Sequence, residues 1–343
     1  MEAVAAPTSL QEAVIYFDNA DRCLAEMVKM RWGAGPVACP TCGSVKVSFL
    51  KTRSLWECSE KHPKRQFSAK VGTIMEDSAI SLSKWLVAMW LIANAKNGIS
   101  SYELARSIKV GQKSAWFMLH RIRLAMQDDS TDKMSGEVEA DETFVGGKVK
   151  NMHAARRQRF KGSRWAGKVA VMGLLERNGK NGTSRVRARV IRGTKRQDLV
   201  PVIEQNVAPG ASVMTDALLS YATPGDTYVH QFIDHMESYA RGTVHTNGLD
   251  NFWSLVKRAI RGTYVAVEPF HLFRYLDEQA FRFNLRKRRD AGRFAAVASA
   301  VAGKRLTFNE LTAADSTFNR SAPARRRGPR KINSSQRTRA ERG

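Results

Sequence analysis

Two sets of residues have the types and spacing to hold metal ions. Cys39 and Cys42 stand in Cys39-Pro40-Thr41-Cys42-Gly43, with Cys58 and His62 a short way on. A tight turn points two thiolates at one ion, and Cys58 with His62 can supply the other two corners of a tetrahedron, which is the donor set of a structural zinc site. The other set is carboxylate. Asp141 lies in Val138-Glu139-Ala140-Asp141-Glu142-Thr143, and Asp216 ends Val213-Met214-Thr215-Asp216. An acid on a sheet is costly unless it is paired or holds a cation, so two on strands of one sheet suggest a shared hard cation. A pair of such cations stabilises the attacking and leaving oxygens of phosphodiester chemistry. Asp250 precedes Lys257 by two helical turns on one face, where the acid would take metal and the lysine a phosphate. Plainer roles fit these residues as well. Asp216 can cap the following turn, Asp250 can complement a helix dipole, and Lys257 can be a solvated charge.

These residues need elements to position them. The zinc residues sit in a Pro-, Gly-, Lys- and Ser-rich stretch too polar to build its own core, so the ion would organise it. Cys23 stands apart and is expected to pack in a helix. From Leu82 the period turns helical, with Trp85, Met89, Ile92 and Ala93 on one stripe and a stop at Asn97-Gly98. Ser100 and Glu103 make a capping box opening Tyr102 to Ile108, Val110-Gly111 makes a turn, and Gln112 to Met126 is helical again. Such a trio is either a DNA-reading helix-turn-helix, with Gln112, Lys113 and Ser114 entering a major groove, or a plain helical hairpin.

Near Glu137 the period becomes two. Strands are expected around Val138, over Lys168 to Leu175, Arg185 to Ile191, Ser212 to Thr215 and Thr227 to Ile233. Helices are expected over Lys195 to Val207 and Leu249 to Ile260, the latter with an apolar stripe of Leu249, Phe252, Trp253, Val256 and Ile260. The order β-β-β-α-β-α-β-α indicates a mixed sheet covered by helices, the α/β class. Trp253 reads as core rather than as a base-stacking residue.

The chain has 343 residues, enough for two or three folded units, and 43% hydrophobic residues, enough for sizeable cores. No apolar run is long enough to span a membrane, the first residues lack the pattern of a secretory signal, and four cysteines do not make a disulfide scaffold, so a cytoplasmic protein is expected. Lys and Arg number 56 against 32 Asp and Glu, a net charge of +24 that attracts a polyanion. Part of the excess is local. Eight Lys or Arg and no acid lie in the segment from Gly146 through Lys168 inclusive, among them Lys148, Lys150, Arg156 and Arg157. A single-sign loop after the first acidic strand would offset repulsion between those acids and DNA. Residues 320–343 hold nine Lys or Arg and one acid, Glu341, and read as a disordered basic tail.

Several stretches together resemble bacterial insertion-sequence transposases that join a zinc ribbon to a DDE catalytic domain, insertion-sequence family fifteen-ninety-five. They are Val71-Gly72-Thr73-Ile74, Lys96-Asn97-Gly98-Ile99-Ser100, Ser114 to Arg123, Asp141 to Lys148, His245-Thr246-Asn247, Phe252 to Arg258 and Tyr275-Leu276-Asp277-Glu278. The resemblance spans roughly residues 36–290. It implies a ribonuclease H-like fold in which Asp141 and Asp216 are the first two members of an acidic triad binding two Mg²⁺, with Mn²⁺ able to substitute. Relatives generally carry Glu where this chain has Asp250, and some have Asn as the third member, for which Asn247 is the candidate. Mariner-like transposases offer a three-Asp precedent. Lys257 and Arg258 would hold phosphate. His62 stands where many ribbons have Cys, and Cys₃His remains an acceptable zinc set.

The implied organisation is an N-terminal helical segment (1–35), a zinc ribbon (36–76), a helix-turn-helix region (77–130), a ribonuclease H-like domain (135–290), a helical extension (291–319) and the basic tail. The implied partners are double-stranded DNA, as terminal inverted repeats and target, and further copies of the chain. Two rival readings remain: a weakened transposase that binds specific DNA without cutting, and a structural nucleic-acid-binding protein using only its basic segments.

Overall fold

The structure is a computed structural model, and it describes residues 6–146, 168–179, 182–216, 228–233 and 246–313. The expected basic loop, including Lys148, Lys150, Arg156 and Arg157, and the expected basic tail lie outside the described residues.

The N-terminal part begins with helices α1 (Leu10–Tyr16) and α2 (Ala20–Trp32), capped by the side chains of Ser9 and Asn19. A small antiparallel sheet follows, β1 (Val47–Leu50), β2 (Leu55–Cys58) and β3 (Gln66–Phe67), in the order β1-β2-β3. Next come α3 (Leu82–Asn94), α4 (Ser101–Ile108) and α5 (Gln112–Ala125). The apolar stripe of α3 is buried as its period indicates, Trp85, Met89, Ile92 and Ala93 all lying in the core. The helix stops earlier than Asn97-Gly98. Its last residue is Asn94, and Gly98, at φ +83°, serves a separate turn. Gly98 is required there because the Tyr264 hydroxyl and Glu278 fill the space a Cβ would take. In the three-residue link between α4 and α5 the left-handed position belongs to Lys109, at φ 51°, not to Gly111. Cys23 is buried in α2, and its thiol donates to the Phe17 carbonyl at 3.0 Å.

A larger mixed sheet follows: β4 (Glu137–Val145), β5 (Val169–Glu176), β6 (Arg185–Ile191), β7 (Ser212–Asp216) and β8 (Val229–Ile233), in the order β6-β5-β4-β7-β8. The first three strands pair antiparallel, while β7 runs parallel to both β4 and β8. Between β6 and β7 runs α6 (Arg196–Asn206). After β8 come α7 (Asn247–Ala259), a π-helical turn (Ile260–Tyr264), α8 (Leu272–Asn284), α9 (Asp290–Ser299) and the short α10 (Phe308–Thr312). Any helix between β7 and β8, as the expected order requires, would fall on residues outside those described.

The two faces of β4 bury against different helices. Val138 and Ala140 join Leu199 and Ile203 of α6 in one core cluster. On the other face Val171, Leu175 and Val186 pack with Leu249, Phe252, Trp253 and Val256 of α7 and Leu272, Leu276 and Phe283 of α8. The approach of α7 depends on Gly173, because a Cβ there would lie 2.6 Å from Trp253 Cζ2 and 2.9 Å from Leu249 Cδ2. Gly173→Ala is therefore expected to cost about 1–3 kcal/mol by overpacking, read as a lower urea midpoint at unchanged slope.

The segments expected as separate N-terminal units share one core. Trp56, Cys58 and Phe67 of the small sheet join Phe17, Met27, Trp85, Trp90 and Met118 from the helices. The expected C-terminal extension enters the same core. Phe294 of α9 lies 5.4 Å from the Phe17 ring and 5.3 Å from that of Trp90.

Candidate functional site

The donor atoms of Cys39, Cys42, Cys58 and His62 all lie within 4.8 Å of one another. Cys39 Sγ is 3.4 Å from His62 Nε2, and the sulfurs of Cys42 and Cys58 are 3.6 Å apart. Bonds of about 2.0–2.3 Å to a tetrahedral zinc give ligand–ligand edges near these values. The turn that gathers the first pair closes through the Gly43 N–H to the Cys39 carbonyl at 2.8 Å, with Gly43 at φ +75°. Cys58 arrives from the end of β2. The Nδ1 atom of His62 lies 2.8 Å from the Pro63 carbonyl, an arrangement that leaves Nε2 for the metal. Burial raises the Cys39 thiol, but backbone N–H donors from Cys42 and Thr41 outweigh it and bring it down to about 7, favouring a thiolate. The cluster fits a structural zinc ion held by Cys₃His.

The carboxylates sit on the sheet. Asp141, half-buried on β4, lies on the face covered by α7, and its Oδ2 accepts the Trp253 indole N–H at 2.8 Å. In the parallel β4–β7 pair Glu139 stands opposite Met214, and two residues further along the same strands come Asp141 and Asp216. Asp216 is placed here by its backbone alone. Asp250 and Asn247 are exposed in the first turns of α7, Lys257 is half-buried and Arg258 is exposed at the helix's other end. Gln112, Lys113 and Ser114 are exposed at the start of α5. Gln112 Nε2 donates to Ser101 Oγ at 2.8 Å, and Lys113 Nζ lies 4.8 Å above the Phe308 ring.

Two residues given no part in a site by the sequence reading contact these carboxylates or their helix. Glu139, only 1% exposed, accepts the Leu249 backbone N–H at 2.9 Å and pairs with Arg177 at 2.7 Å. It thereby caps the N-terminus of α7 from a neighbouring strand, in place of the side-chain cap that Thr246 does not provide. Gly248 permits the approach, since a Cβ there would lie 2.9 Å from Glu139 Oε2. Trp253 is core as expected, 2% exposed, but its polar edge reaches Asp141. The available signal was that a buried indole N–H needs an acceptor.

Residues 133–284 match the family model of an ISXO2-like transposase domain, and residues 18–60 match that of a transposase zinc-ribbon domain. The chain is also 24% identical over 245 residues to a protein of Halobacterium salinarum described as an uncharacterized protein in transposable element ISH50. That match covers 68% of this chain and 80% of the relative. No helix among the described residues is long and apolar enough to cross a membrane.

Proposed function

Because this chain belongs to the insertion-sequence transposases that carry a zinc ribbon and an ISXO2-like domain, we propose that it binds the ends of an insertion sequence, cleaves them and joins them to target DNA. The observation that carries the reading is the placement of Asp141 on β4, beside the strand that ends in Asp216 and beneath the helix that bears Asp250. Three carboxylates are the oxygen-donor set that suits hard divalent cations. Two Mg²⁺, or Mn²⁺ in their place, would be held by Asp141, Asp216 and Asp250 and would neutralise charge on the attacking and leaving oxygens. The five-stranded mixed sheet with helices on both faces supports a ribonuclease H-like catalytic fold.

Helix geometry favours Asp250 over Asn247 as the third ligand. Around α7, Asp250 lies about 60° from Trp253, the residue that touches Asp141, whereas Asn247 lies about 120° away. Lys257, about 40° from Trp253, shares the Asp250 side and would hold a DNA phosphate, with Arg258 contributing from the same helix end. The α4–α5 pair would act as a helix-turn-helix in which Gln112, Lys113 and Ser114 read the major groove. Lys148, Lys150, Arg156 and Arg157 would grip DNA phosphates. Two element ends must be held together, which calls for more than one copy of the chain on DNA.

Excision and end joining in cells carrying the gene beside its own flanking DNA test this. Removing the metal-binding carboxylate in Asp141→Ala forfeits several kcal/mol of transition-state stabilisation, a loss on the order of a thousandfold. Asp is one methylene shorter than Glu, so Asp250→Glu distinguishes a working enzyme from a weakened one. Products from Asp250→Glu with none from wild type would mark a protein whose remaining function is sequence-specific DNA binding. Full excision by Asp141→Ala would refute the metal-site assignment.

A further inference from the structure

We propose that Trp253 is a positioning residue for the carboxylate site, its indole N–H setting the orientation of Asp141. The inference rests on the metal-site reading and goes beyond it by assigning a task to a side chain that supplies no ligand atom. A buried indole commonly donates to a neutral carbonyl. Here the acceptor is Oδ2 of the first acid of the site, at 2.8 Å, and the bond is charge-assisted when that acid is ionised.

The donor is itself held in place from several sides. Trp253 is 2% exposed, and its six-membered ring occupies the space left by the missing Cβ of Gly173, which stands directly across from Asp141 on β5. Phe252 packs at a ring-centroid distance of 5.1 Å, tilted by 51°. The position of α7 along the sheet is fixed one turn earlier, where Glu139 takes the Leu249 N–H. A donor fixed in this way restricts rotation of the Asp141 carboxylate about its side-chain bond. It also ties Asp141 to the helix that carries Asp250, so the contact bears on two ligands on different elements. Removing a hydrogen-bond partner that orients a ligating side chain typically weakens metal binding about 10–100-fold.

The test is Mn²⁺ binding to the full-length, zinc-loaded protein, followed by the electron paramagnetic resonance of free Mn²⁺. Trp253→Phe keeps a ring but deletes the donor. Leu276→Ala, in the same buried cluster but on α8, is the packing control, and Asp141→Asn is the site control. Trp253→Phe is expected to bind Mn²⁺ about tenfold more weakly than wild type, and Asp141→Asn with Trp253→Phe no more weakly than Asp141→Asn alone. Leu276→Ala is expected to lower the unfolding midpoint and leave Mn²⁺ affinity unchanged. Should Trp253→Phe fail to fold, 3-benzothienylalanine at position 253 replaces the N–H by sulfur at nearly constant shape and carries the same expectation. Wild-type affinity in the donor-deleted protein, with affinity lost in Asp141→Asn, would overturn the positioning role. Wild-type affinity in Asp141→Asn as well would overturn the metal-site reading and the positioning role together.

Discussion

Removing zinc from this protein, by chelation or by Cys58→Ala, is expected to unfold the small N-terminal sheet. The sheet has three short strands, the last of only two residues, and is too small to stand on its own hydrogen bonds. Binding energies of structural zinc sites, about 10–16 kcal/mol in isolated fingers, appear directly as folding energy, so the loss here is the largest expected of any single change to the N-terminal part. Cys58 is fully buried at the end of the strand that also carries Trp56, and Trp56 packs 5.9 Å from Trp32 and 6.1 Å from Phe67. Loss of the ion should therefore redden tryptophan emission and open the exposed Lys51, Arg53 and Lys64 to trypsin. The five-stranded sheet lies in separate core clusters and should stay protected. An unchanged trypsin pattern after complete zinc removal would show that packing alone holds the ribbon.

Glu278→Gln should be nearly as damaging through a different mechanism. Glu278 is 0% exposed at the joint between α5 and α8, where it pairs with Arg123 of α5 at 2.6 Å and with Arg282, and accepts from the Tyr264 hydroxyl. Two buried guanidiniums share one carboxylate, and Arg123 also lies over the Tyr275 ring at 4.0 Å. The neighbouring histidines add no charge. Burial, reinforced by nearby guanidiniums, holds His120 well below the ordinary imidazole range and brings His271 down to about 4. Neutralising Glu278 leaves both cations uncompensated, which costs about 3–5 kcal/mol in comparable buried pairs. Urea unfolding should register it, and adding Arg123→Met should restore part of the loss by removing one orphaned cation. A cost below about 1 kcal/mol would mean that water or backbone satisfies the arginines.

This joint also shows where reading the sequence runs out. Tyr275-Leu276-Asp277-Glu278 could be marked as part of a resemblance, but its partner Arg123 lies 155 residues earlier, and no local period links them. The same holds for Trp253, whose apolar spacing in α7 identifies a core residue, while its acceptor is 112 residues away on another strand. Period two in β4 marks a strand, and the structure buries Val138 and Ala140 on the face opposite Glu139 and Asp141. It gave no sign that Glu139 is among the most buried residues of the chain, because an alternating acid ordinarily faces water. The zinc residues were the most legible of all, since four donors within a short segment satisfy one geometric demand locally. The folding back of α9 onto α3 was invisible for the opposite reason, being a matter of which apolar faces meet rather than of which residues are apolar.

The proposed metal-dependent site, formed by the carboxylates of β4, β7 and α7, is tested most directly by cleavage of a labelled duplex bearing the element's own end by purified, zinc-loaded protein, with and without Mg²⁺, in wild type and Asp141→Ala. Mg²⁺-dependent nicking at the element end is expected from wild type and none from Asp141→Ala, with both proteins binding the duplex comparably. Equal nicking by Asp141→Ala would contradict the proposed site.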